Sequence, residues 1–129
     1  MIRNILAFVG FAALAACGPR TISLTDGQCP EVRIGDRVEG VAILHAYTGD
    51  ICIECGASLS RPGCAGEIGY RNANDQVDAE YRRIILQLPP DGDNEFVRGR
   101  VFVSGTIINM NGANGSPLLD AEVIRRPDN

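Results

Sequence analysis

The stretch Phe96-Val97-Arg98-Gly99-Arg100-Val101-Phe102-Val103-Ser104-Gly105-Thr106-Ile107-Ile108-Asn109 alternates with period two. Val97, Val101, Val103 and Ile107 fall on one face, with Gly99 and Gly105 between them. Arg98, Arg100, Ser104 and Thr106 fall on the other. That pattern marks a strand with one face in a core and the other in water. It is long for a strand, and its two glycines permit coiling. The rest of the chain is read outward from it.

Downstream, Asn111-Gly112-Ala113-Asn114-Gly115 is a turn rich in residues that accept positive φ. Leu118 to Arg125 is a last strand, with Leu119, Ala121 and Val123 pointing in and Asp120 and Glu122 out. Upstream, Pro89 to Asn94 closes a strand over Arg83–Leu88, whose Ile84, Leu86 and Leu88 share a face. Asn72 to Asp78 is polar and turn-rich, and a short helical turn fits around Asp75 to Tyr81. Ile68 to Tyr70 can form a short strand, and Ser58 to Ala65 reads as a loop broken at Arg61-Pro62-Gly63. Arg37 to Tyr47 is the first main strand, bent at Gly40. Thr48-Gly49-Asp50 turns it into a second, Ile51 to Ala57, paired back as a hairpin. Five principal strands, glycine-kinked and antiparallel by hairpin logic, predict an all-β domain: a small five-stranded OB-like barrel, with a β-sandwich as the alternative.

Before the domain lies a leader. Met1-Ile2-Arg3-Asn4 carries one positive charge, and Ile5 to Ala16 is apolar and helix-compatible. That run is shorter than the roughly 20 apolar residues a bilayer-spanning helix needs. Leu14-Ala15-Ala16-Cys17 resembles the lipobox of bacterial lipoproteins. The resemblance implies a signal peptide over 1–16, cut before Cys17, and a diacylglycerol on the Cys17 thiol. Gly18, where an Asp commonly means inner-membrane retention in Gram-negative lipoproteins, is similar to the outer-membrane-sorted class. Residues 17–31 then form a lipid-anchored tether, 32–126 the single β-barrel domain and 127–129 a polar tail. The segments Val101 to Ile107 and Leu118 to Val123 also resemble the end of cysteine-containing OB-like lipoproteins.

The chain has a formal charge of −4, and the leader holds Arg3 and no acid. An acidic domain argues against sequence-independent nucleic-acid binding, which depends on Lys and Arg neutralising phosphate. It also leaves the lipid, rather than a basic patch, as the membrane anchor. The expected partner is an envelope protein or a small ligand.

Apart from Cys17 there are four cysteines: Cys29, Cys52, Cys55 and Cys64. An even number in an exported domain predicts two disulfides. Pairing Cys52 with Cys55 would need a tight turn inside the expected second strand, so Cys29–Cys52 with Cys55–Cys64 is the expected connectivity. Two sharper chemistries use the same residues: a four-thiolate zinc site, or a redox pair at Cys52-Ile53-Glu54-Cys55.

His45 is the sole histidine, and spacing pairs it with no nucleophile or orienting acid. No zinc-protease, nucleophile-elbow, phosphate-loop or dinucleotide motif occurs. No enzyme activity and no cofactor are expected. Asp91-Gly92-Asp93-Asn94-Glu95 gathers oxygen ligands of the kind calcium takes, without EF-hand spacing. Arg82, Arg83, Arg98 and Arg100 are expected to form a basic strip on adjacent strands, suited to an anionic polymer or ligand.

Overall fold

A computed structural model describes residues 20–25, 27–49, 56–109 and 117–127. The leader, Cys17, Cys52, Cys55 and the Asn111–Gly115 turn lie outside them. The elements in order are β1 (Thr21–Ser23), β2 (Arg37–Tyr47), β3 (Ala57–Ser60), β4 (Glu67–Asn72), α1 (Asp75–Ile85), β5 (Pro90–Asp91), β6 (Asp93–Asn109) and β7 (Pro117–Arg125).

The strands form one mixed sheet in the order β1-β2-β3-β4-β7-β6-β5. β2 pairs antiparallel with β3 on one side and with β6 on the other. β4 pairs parallel with β7, so pairing runs from β2 through β3, β4, β7 and β6 back to β2. The all-β expectation therefore holds at the level of class, with one helix added. A wholly antiparallel set of five strands does not describe the sheet, because β1–β2 and β4–β7 are parallel and seven strands take part.

β6 carries the alternation read from the sequence. Val101, Val103 and Ile107 are fully buried and Val97 nearly so. They meet Val38, Ala42, Leu44 and Ala46 of β2, and Leu59 of β3, in one core. Burying each large aliphatic side chain contributes about 1.5–3 kcal/mol. At Gly105 the β7 backbone leaves no room for a side chain: a Cβ there would collide with the Asp120 carbonyl oxygen and the Ala121 backbone. The β6–β7 register also shifts between Ser104 and Gly105. Leu119 and Ala121 are buried as expected, but beyond the bulge the phase of β7 is reversed, so Val123 is exposed and Ile124 is buried.

Three further expectations are corrected. The strand expected over Arg83–Leu88 is replaced by the end of α1 and the turn after it. Asn74 caps the helix by accepting from the Val77 amide, and Asp75 and Asp78 occupy the first turn. Arg82 and Arg83 fill the last turn and pair with Asp78 and Glu80. Val77 and Ile84 are buried on one helical face, whereas Leu86 is exposed. Second, the strand after β2 is β3, inside the segment read as a loop; the proposed Ile51–Ala57 strand lies almost wholly outside the described residues. Leu59, fully buried between Ser58 and Ser60, is what makes so short a segment a strand.

Third, part of the segment expected to precede the domain belongs to its sheet. Thr21–Ser23 pairs in parallel with Arg37–Glu39, and Ile22 and Leu24 are in the core. The chain then crosses β2 at Gly40, whose φ of 135° suits glycine. A Cβ there would strike the Thr25 hydroxyl oxygen and the Leu24 and Thr25 amides. Thr25 Oγ1 accepts from the Val41 amide at 2.8 Å, fastening the crossing.

α1 is fixed to β4 by a polar chain. The Tyr70 hydroxyl donates to Asn72 Oδ1 at 2.7 Å, Asn72 Nδ2 to Asp78 Oδ1 at 3.0 Å, and Arg82 Nε to Asp78 Oδ2 at 2.8 Å. The Tyr70 and Tyr81 rings stack with centroids 5.4 Å apart. Burial raises the pKa of both phenols, so they are neutral donors.

Candidate binding face on strands β2 and β6

The antiparallel register of β2 and β6 lines up a row of outward residue pairs: Tyr47 with Phe96, His45 with Arg98, Ile43 with Arg100, and Val41 with Phe102. Successive rows on one strand face are about 7 Å apart, since each residue advances roughly 3.3 Å. Arg98 and Arg100 are exposed, while Phe96, Phe102, His45, Tyr47, Ile43 and Val41 are half-buried. Two guanidiniums thus stand on a partly apolar, aromatic floor.

Neither guanidinium has an ion pair or hydrogen bond among the described residues. That separates them from five other arginines: Arg20 pairs with Asp36, Arg37 with Glu122, Arg71 with Asp120, Arg82 with Asp78 and Arg83 with Glu80. At one end of the row the Arg125 guanidinium lies 4.1 Å from the Phe102 ring centroid, a cation–π contact. At the other end His45 stacks on Phe96, with centroids 5.3 Å apart and planes 7° from parallel. Tyr47 packs against the same Phe96 ring at 5.2 Å.

The expected arginine strip is therefore split. Arg98 and Arg100 are neighbours on β6, but Arg82 and Arg83 are on α1, which packs on β4 and β7. The strip assumed that Arg83–Leu88 was a strand; once it is helical, the adjacency disappears.

Sequence spacing found no partner for His45, and the fold supplies one. Asp91 on β5 brings Oδ2 to 3.1 Å from His45 Nε2. β5 pairs with β6 in a tight hairpin around Gly92, which returns Asp91 to the Phe96 end of the face. Ser58 stands opposite His45 across the β2–β3 pair, yet no hydroxyl hydrogen-bonds the ring among the described residues. The Asp91 carboxylate is engaged by His45, and among the described residues no group of three or more His, Cys, Asp and Glu could hold a metal ion.

The cysteine expectations also change. Cys29 is joined to Cys64, with Cα atoms 5.5 Å apart, across 35 residues of sequence. This bond excludes both expected pairings, Cys29–Cys52 and Cys55–Cys64, and removes two thiolates from the four-thiolate zinc site. The expectation set Cys29–Cys64 aside because its complement, Cys52–Cys55, would need a tight turn inside the expected second strand. The parallel docking of β1 instead brings the segment after it to the β3–β4 turn, where Arg61 Nη1 donates to the Pro30 carbonyl at 2.6 Å.

A scan of protein-family models matches none to this chain, and searches of curated proteins and of solved structures return no match.

Proposed function

We propose that the chain is a lipid-anchored lipoprotein of a bacterial envelope, whose OB-like barrel is a non-catalytic module that binds an anionic partner on the β2–β6 face. The single observation that carries the binding role is the pair of exposed arginines, Arg98 and Arg100, without partners among the described residues, on a face shared with Phe96, His45, Ile43 and Phe102. Arginine offers a planar, weakly hydrated donor fork suited to carboxylate, sulfate or phosphate oxygens. On a chain with a net charge of −4, such a patch favours a local contact over indiscriminate adhesion. The pairing circuit β2-β3-β4-β7-β6-β2, with the helix before β6, supports the barrel reading over a sandwich. The lipobox at Leu14–Cys17 supports the anchor, and Gly18 the outer-membrane destination on the periplasmic side of a Gram-negative envelope.

The test measures binding of polyglutamate and of a sulfated polysaccharide to the wild-type domain and to Arg98→Ser/Arg100→Ser, at low and high salt. Salt-sensitive binding that the double variant loses is expected. No binding by the wild type, or equal binding by the variant, overturns the reading.

A second reading is favoured by the disulfide. With Cys29 joined to Cys64, Cys52 and Cys55 are the remaining pair beyond Cys17, two residues apart in sequence. They would serve as a thiol-redox or metal-binding pair. Alkylation that labels Cys52 and Cys55 in glutathione buffers while sparing Cys29 and Cys64 would support it. Complete resistance to reduction would remove it.

A further inference from the structure

We infer that the turn Arg33–Asp36 is the membrane-facing tip of the domain, with Ile34 resting in the lipid interface and the His45–Phe96 end of the binding face turned to the aqueous side. The inference rests on the lipid anchor at Cys17 and adds which surface of the domain that anchor holds down.

The argument is one of chain length. Only Gly18, Pro19 and Arg20 separate Cys17 from the first residue of β1. Fully extended, that link spans at most about 14 Å at 3.3–3.6 Å per residue. The polar layer of one leaflet takes about 5–8 Å, from a hydrocarbon core of ~30 Å within a total of ~40–45 Å. The start of β1 is therefore held within about 10 Å of the membrane surface.

The exit point is also fixed in direction. Arg20 Nη2 and Nε donate to Asp36 Oδ2 and Oδ1 at 2.8 and 3.2 Å, and Nη2 reaches the Glu31 carbonyl at 3.2 Å. The Arg20 carbonyl accepts from the Arg37 amide at 2.8 Å. The last residue of the link is thus clamped to the turn on which Ile34 lies. That turn is closed by the Asp36 amide donating to the Arg33 carbonyl, and by Gly35 donating to Ile107. Ile34 is 62 % exposed. Exposure alone would not select it, because Leu86 is 84 % exposed beyond α1. The link makes the choice. Leu86 precedes β5, which pairs with Val97 near the opposite end of β2. From Arg37 to Tyr47 β2 runs about 33 Å at roughly 3.3 Å per residue, which sets the spacing of the two ends.

The chain contains no tryptophan, so single substitutions report their own surroundings. The experiment uses the full lipidated chain with Ile34→Trp or Leu86→Trp. Each is reconstituted in phosphatidylethanolamine–phosphatidylglycerol vesicles with acyl chains brominated near the headgroup. Both preparations are checked by flotation. Co-flotation with several-fold stronger quenching at position 34 is expected. A Gly-Ser insertion of twelve residues between Pro19 and Arg20 should abolish the difference. Flotation with equal quenching, or with stronger quenching at 86, overturns the orientation while the anchor stands. Failure of the purified chain to float removes the anchor, and the orientation with it.

Discussion

Two regions of this domain use the same residue type in opposite ways. Where β1 enters the sheet, polar groups hold the chain. Arg20 grips Asp36, the Arg33 amide donates to the same carboxylate, Arg61 reaches Pro30, and Cys29 is bonded to Cys64. On the outer face of β2 and β6, Arg98 and Arg100 are exposed and have no partner among the described residues, though acids are plentiful elsewhere. In the first region charge and sulfur compensate for short strands and a chain crossing. In the second, long strands with a dry inner face need no such help, and the outer face is left for contact.

The sharpest way to break this contrast is at Gly105, where β6 and β7 meet beside Val38. Gly105→Val should destabilise the domain by about 3 kcal/mol or more, since backbone and not a flexible side chain must move. Urea denaturation measures it, and a loss under about 1 kcal/mol would show that the two strands separate easily. Next comes the staple. Cys29→Ser/Cys64→Ser should cost about 2–4 kcal/mol, as loop closure over this separation implies. An unchanged denaturation midpoint would mean that the β1 end is held by packing alone.

A smaller effect is expected at Asp36. The Arg20 guanidinium, then the Arg33 amide, hold its carboxyl below the ordinary carboxylate range. A group whose folded pKa is depressed stabilises above its unfolded value, and that contribution is lost as pH falls through the folded value. Asp36→Asn should therefore lower the melting temperature at pH 7, with the gap to wild type closing below about pH 4. A gap that stayed constant down to pH 2 would show that the carboxylate's charge is not what holds Arg20.

How far the sequence reveals this arrangement depends on segment length and on contacts distant in the chain. β2 and β6 were legible because alternation over long segments has one physical reading. So was their opposition of Arg98 and Arg100 to a valine face. The start of α1 was read as a helical turn, but its end was misread because Ile84, Leu86 and Leu88 alternate, although Val77, Tyr81, Ile84 and Leu88 also recur at helical spacing, and Asn74 is a capping residue. The phase of β7 was not legible, because the bulge beside Gly105 is a property of the strand pair. Asp91 beside His45 and Cys64 beside Cys29 depend on a hairpin and a parallel strand, neither of which leaves a local signal.

The smallest expected effect tests the other half of the contrast. Arg98→Ser/Arg100→Ser removes two charges from an exposed face with no ion pair to lose. Surface changes of that kind shift stability by no more than about 0.5 kcal/mol. Both arginines share a strand face with Phe96, Ile43 and Phe102, so a small loss of packing is expected, and serine keeps the strand propensity close. The denaturation midpoint should therefore stay within error of wild type while anion binding falls. A loss above about 1.5 kcal/mol would mean that the arginines are structural after all. The division between an end that holds the fold and a face that is free to bind would then collapse.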